Sequence, residues 1–153
     1  MVLGTDRINE LLKSGELALE NSSQISVEEP NFELSFGDKA IKYKPNEVLD
    51  LKSDNSVHIV NFDIPKVGLV LEPGEFIVVQ SKEKITLPQT VFGYIVTRGS
   101  IAKIGLQIHL CSPHIDPGTN STIALEVKNN SNNSVRIYPN HPVAKVYLFE
   151  MLQ

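Results

Sequence analysis

Two carboxylates stand ten residues apart in the stretch HIDPGTNSTIALEV, from His114 to Val127. Asp116 opens a Pro-Gly turn. Glu126 stands in a strand-like run of small and aliphatic residues. A carboxylate buried in such a run costs several kcal/mol unless it is paired or used. A carboxyl on a partly desolvated surface is suited to moving protons near neutral pH. In STIALEV, Ile123, Leu125 and Val127 share one face of a strand, and Thr122, Ala124 and Glu126 share the other. Glu126 and Asp116 are therefore candidates for two working parts of one site. The plainer alternatives are a solvated strand residue and an ordinary turn aspartate. A second cluster is TRGSIAKIG, residues 97–105. There Arg98 precedes a short helical turn that Ser100 would cap, carrying Ile101 and Ile104. An arginine beside free backbone N–H groups suits an anion.

The elements that must position these residues are mostly strands. FELSF (32–36), VHIVNF (57–62), EFIVVQ (75–80) and VRIY (135–138) alternate apolar and polar residues. Turn residues separate them at LEPGE, LPQT and DPGTN. NNSNNS (129–134) reads as a hairpin loop because strand patterns flank it closely. Short strands at this spacing predict a sandwich or barrel. One helix opens the chain, with Thr5 as its N-cap, Ile8, Leu11 and Leu12 on its apolar face, and Gly15 as its stop.

The chain of 153 residues reads as a single domain. A net charge of −4 gives no basic footprint for a nucleic-acid backbone. No apolar run approaches the ~18 residues of a membrane helix. The N-terminus lacks the pattern of a secretory signal, so a reducing, cytoplasmic setting is expected. The single cysteine, Cys111, forbids an intrachain disulfide.

Taken in order, these pieces resemble the dCTP deaminase family, the deaminase branch of the trimeric dUTPase fold. TDRINELLKSGEL is similar to the family's opening helix. NFELSFGD resembles its ASVDLRLG strand, with Glu33 where an aspartate is usual. LEPGEFIVVQSKEKITLP, RGSIAKIGL and HIDPG followed by I.LEV resemble three further segments. The resemblance implies a mainly β chain over 1–153: a distorted β-barrel of the dUTPase-like, β-clip type, with an N-terminal helix and a short inserted helix. It implies a homotrimer with an active site at each subunit interface, and a deoxynucleotide triphosphate, dCTP or dUTP, as ligand. It also implies metal-independent deamination, with Glu126 activating water. Arg98, Gly99, Ser100 and Lys103 would then face the phosphates, Ser112 the exocyclic amine through its backbone, and Asp116 the sugar.

Metal chemistry is not expected. His109 and His114 are five apart, which suits neither a helix face nor a strand face. The His-x-Glu and Pro-Cys-x-x-Cys elements of zinc deaminases do not occur. Mg²⁺ is expected only as a companion of the triphosphate. The chain departs from the family at Gly99, which replaces a serine, and at Lys103, which replaces an arginine and loses its planar fork. Thr119 replaces an aromatic and Ser121 a glycine. Relatives continue beyond this chain's end with a segment that closes over the nucleotide, so weaker water exclusion is expected here. Two other functions remain on the same fold. One is a dUTP pyrophosphatase. The other is a non-catalytic nucleotide-binding or regulatory trimer.

Overall fold

Alternation along FIVVQSKEKIT makes the central strand of the protein. Ile77, Val79, Ser81, Glu83 and Ile85 are buried, and the residues between them are more open. A computed structural model describes residues 1–152. In chain order the elements are α1 (Thr5–Ser14), β1 (Ala18–Glu20), β2 (Phe32–Tyr43), β3 (Ile59–Asp63) and β4 (Leu69–Leu71). They continue with β5 (Phe76–Thr86), β6 (Val91–Thr97), α2 (Gly99–Ala102), β7 (Leu106–Ile108) and β8 (His114–Ile115). The last are β9 (Asn120–Asn129), β10 (Val135–Ile137) and β11 (Pro142–Glu150).

The main sheet follows the path β7-β9-β5-β2-β11-β6-β8, with β1 on β5 and β3 on β2. Strands β4 and β10 form a separate pair. The main sheet curls into a half-barrel until β6 approaches β7. Thr97 Oγ1 donates to the Ile108 carbonyl at 2.9 Å and accepts from its N–H at 3.0 Å. Register shifts between Phe36 and Ala40, Gln80 and Lys84, and Pro142 and Ala144 bend the sheet. Gly37 lies at one of them, where an added Cβ would come within 2.7 Å of the Gln80 carbonyl oxygen. The architecture is the mainly β, curled one expected, with both the N-terminal and the inserted helix.

Helix α1 buries Ile8 and Leu11 against the core. Truncating either to alanine costs about 2–5 kcal/mol. Gly15 ends the helix in the left-handed conformation, as read from the sequence. Thr5 does not cap it. Gly4 is the N-cap, in extended conformation with no side-chain bond, and Thr5 is already helical. The strand expected over 57–62 begins two residues later, because Ser56–His58 form a 3-10 turn.

The NNSNNS segment does not close a hairpin. Strand β9 pairs with β5 and β7, whereas β10 pairs with β4. The cause is Asn129, which is fully buried. Its Nδ2 donates to the carbonyls of Leu71 and Asn133 at 3.0 and 2.8 Å. Its Oδ1 accepts from the N–H and hydroxyl of Ser131. These bonds turn the chain out of one sheet and into the other.

Candidate active site

Strand β9 carries Glu126 on its outer face, between the β5 and β7 edges. Leu125 and Val127 point into the core, and Ala124 stands beside Glu126 on the open side. Strand β7 runs beside β9 through Ile108 and Val127, and the His109 N–H still bonds the Glu126 carbonyl at 2.7 Å. The ladder then opens. His109 takes a left-handed φ of 62°, and the chain swings away from β9. It rejoins the sheet at the far side, where Pro113, His114 and Ile115 pair with β6.

The gap between these two paths is the candidate site. Residues 110–113 cross it, and their backbone grips Glu126. Oε2 accepts from the Cys111 N–H at 2.6 Å and from the Ser112 N–H at 3.3 Å. Such bonds fix the carboxylate as an acceptor. Oε1 makes no hydrogen bond among the described residues. One oxygen is anchored and the other is open to accept a proton. The Ser112 side chain takes no part in holding the carboxylate.

His109 is the residue that sequence reasoning missed. No pattern in the sequence signals a left-handed residue at a strand end. The side chain is buried, with Nδ1 2.8 Å from the Ser112 carbonyl oxygen. That carbonyl only accepts, so Nδ1 carries the proton of the neutral ring. Nε2 is buried without a partner. Burial pushes the His109 pKa below its ordinary 6.5, against smaller opposing effects of the Ser112 carbonyl and Glu126. A histidine lowered in this way stabilises the fold most above its unfolded pKa. As pH falls through 6.5 the unfolded chain takes up the proton first, and stability declines towards the lower folded value. The melting temperature should therefore drop as pH falls below 6.5, and His109→Gln should flatten that part of the profile. An unchanged slope in the variant, followed by circular dichroism, would assign the acid sensitivity elsewhere.

Asp116 is exposed and stands at the far end of the gap. Its carbonyl accepts from the Thr119 N–H and hydroxyl, which closes the turn. The turn is tied to the 87–90 turn by Gly118 N to Pro88 O and Leu87 N to Thr119 O. Gly118 is required there, since its φ is +74° and Gln89 fills the space of a side chain. The Asp116 carboxylate makes no hydrogen bond among the described residues. The Asp116 and Glu126 carboxylates share no hydrogen bond and no hydrogen-bond partner among the described residues. Six strand steps from Asn120 to Glu126 span about 20 Å.

The 98–103 segment, the candidate anion site, lies at the opposite end of β9. Helix α2 forms where expected, but Ser100 does not cap it. Arg98 is the N-cap residue and Ser100 lies inside the turn. Ser100 is displaced from the cap because the Arg98 carbonyl already accepts from Ile101 and Ala102 at 2.9 Å each. Gly99, Ser100 and Lys103 are exposed. Gly99 has open space where a Cβ would stand, so the serine of relatives would fit. Arg98 lies in a polar depression with Glu33 and Lys145, while Lys103 borders a different one with Ser131 and Arg136. The backbone after α2 is tied to the end of β9 by Asn130 N to Gly105 O. No group of three or more His, Cys, Asp or Glu side chains among the described residues is placed to hold a metal.

Comparison with known proteins gives consistent results. The sequence model of the dCTP deaminase-like family matches residues 2–151. The chain is 29% identical to a "dCTP deaminase, dUMP-forming" from Coprothermobacter proteolyticus, over 99% of this chain and 83% of that protein. It is 24% identical to the protein of that name from Nanoarchaeum equitans, over 99% and 85%. In structure it is similar to the 2'-deoxycytidine 5'-triphosphate deaminase from Agrobacterium tumefaciens, with a TM-score of 0.73 and 16% identity. That match covers 96% of this chain and 47% of the other, so this chain spans about half its length. A dUTPase variant from phage phi11 of S. aureus matches with a TM-score of 0.59 and 13% identity, over 90% and 92%.

Proposed function

Because the chain belongs to the dCTP deaminase-like family, we propose that it deaminates dCTP to dUTP and ammonia. The observation that carries this reading is the Glu126 carboxylate, with Oε2 held by two backbone N–H groups and Oε1 open. Oε1 takes a proton from water, and the hydroxide adds to the ring carbon that bears the amine. Glu126 then gives the proton to the adjacent ring nitrogen. It takes the second proton of the added water and passes it to the amine, which leaves as ammonia. The curated relatives are named dUMP-forming, which favours a second step at the same site. In that step another water cleaves dUTP to dUMP and pyrophosphate. Mg²⁺ would enter with the triphosphate and is not needed for the deamination.

The order of groups along β9 supports a site shared between copies. A nucleotide runs from base through sugar to phosphate. With the base at Glu126 and the sugar on its Asp116 side, the phosphates point along β9 towards the 116–119 turn. Helix α2 of the same protomer is at the other end of the strand. Arg98, Ser100 and Lys103 therefore reach the phosphates from a second copy. The outer face of β6, β8 and β11 favours such an assembly. Phe92 stacks on Phe149 at 5.0 Å, and His114 stacks beside Phe92 and meets the edge of Tyr94. Tyr94 and Val96 are 40% and 41% exposed, while Ala144, Val146 and Leu148 on the inner side of β11 are fully buried. An aromatic face of this kind needs a partner. The expected assembly is a homotrimer.

The test is incubation with dCTP, and separately with dUTP, with and without Mg²⁺, followed by chromatography. Ammonia with dUTP fits deamination alone, and ammonia with dUMP fits both steps. Pyrophosphate from dUTP without any attack on dCTP would make the protein a dUTP pyrophosphatase. No product from either would leave a binding protein. Asp116→Asn should weaken dCTP binding about tenfold and reduce the preference for deoxyribose over ribose. Equal discrimination between dCTP and CTP in wild type and variant would remove Asp116 from the sugar site.

A further inference from the structure

Arg98 does not stand free at the start of α2. Its Nε lies 3.2 Å from Glu33 Oε1, and the two side chains are equally half-buried. The partner comes from far away in the sequence. Glu33 is on β2, opposite Lys145 of β11, and Lys145 turns away to pair with Glu29 at 2.6 Å. Glu33 is itself fixed, since its N–H donates to Gln24 Oε1 at 2.8 Å. The Arg98 backbone is fixed by its N–H to the Val143 carbonyl at 2.9 Å. Arginine meets phosphate best with its two terminal nitrogens side by side. Here the carboxylate meets the guanidinium through Nε, and neither Nη makes a hydrogen bond among the described residues.

We propose that Glu33 is a positioning residue for the phosphate site, holding Arg98 by Nε so that its two Nη atoms are presented together to the triphosphate. This rests on the reading of Arg98 as a phosphate ligand. Without the carboxylate the arginine samples many rotamers, and each binding event must order it again. The effect is confined to the phosphates. Glu33 has no reason to alter contacts to the base or the sugar.

The test is calorimetry on chains that also carry Glu126→Gln, which stops turnover. Glu33→Gln keeps the size of the side chain and loses its charge. It should weaken dCTP binding about tenfold and leave deoxycytidine binding unchanged. Glu33→Asp, the residue usual in relatives, should retain most of the dCTP affinity. Adding Glu33→Gln to Arg98→Ala should cause no further loss, because both act on one contact. Undiminished dCTP affinity in Glu33→Gln would overturn the proposal, as would equal losses for dCTP and deoxycytidine, which mark a residue of the fold. If Arg98→Ala itself leaves dCTP affinity unchanged, the phosphate reading of α2 fails, and this proposal falls with it. That result differs from the case where Arg98→Ala weakens binding and Glu33→Gln does not.

Discussion

Glu126→Gln should reduce dCTP deamination at least about a hundredfold, the range expected for loss of a general base. The same change should leave dCTP binding and assembly nearly intact. The reason lies in how the two carboxylate oxygens are used. Oε2 accepts from Cys111 and Ser112, and an amide oxygen in its place still accepts both bonds. The crossing of residues 110–113 should therefore keep its shape. The atom at Oε1 becomes an NH₂ group, which has no lone pair to take a proton from water. The anchor survives and the base is lost. A steady-state assay for ammonia, together with dCTP calorimetry, separates the two. If the variant deaminates at the wild-type rate, another group activates the water. If binding falls as far as the rate, Glu126 serves the shape of the site and not its chemistry.

The sequence made Glu126 legible because a strand has a period of two. STIALEV places three aliphatic side chains on one face, so its single carboxylate had to emerge on the other. What the sequence did not reveal was how that carboxylate is held. The grip comes from the N–H groups of Cys111 and Ser112, and backbone donors leave no trace in residue types. The left-handed turn at His109 that aims them was equally invisible. Arg98 was legible as a cation beside a short helical turn. Its ion pair with Glu33 depends on the register of β2 against β11, which alternation alone does not fix. The 129–134 segment shows the same limit. Its composition marked a loop, but a hairpin and a crossover between sheets carry the same turn residues. The buried bonds of Asn129 decide between them.

Mixing two inactive variants should restore activity. If Arg98 is a phosphate ligand as proposed, Arg98→Ala should lower dCTP affinity about ten- to a hundredfold. At dCTP concentrations well below the weakened affinity, trimers of Arg98→Ala are nearly silent. Trimers of Glu126→Gln are silent at any concentration. If each site takes α2 from one copy and β9 from the next, a mixed trimer contains sites in which both residues are wild type. The site then joins the intact Arg98 of a Glu126→Gln chain to the intact Glu126 of an Arg98→Ala chain. With the two chains co-expressed in equal amounts and assembled at random, about a quarter of all sites meet this condition. Activity should return to about a quarter of the wild-type level, from about one to ten per cent in Arg98→Ala and about one per cent or less in Glu126→Gln. The aromatic face of β6, β8 and β11 supplies the control. Tyr94→Glu places a charge on that face opposite Tyr147, where burial in an assembly would leave it unpaired. It should yield folded monomers, and the same two variants carrying it should no longer complement. Activity in the mixture no greater than the sum of its parents would mean that each site is built within one protomer. The reversed order of α2, Glu126 and Asp116 along β9 would then need a different ligand, one whose anionic group lies on the same side of the base as α2.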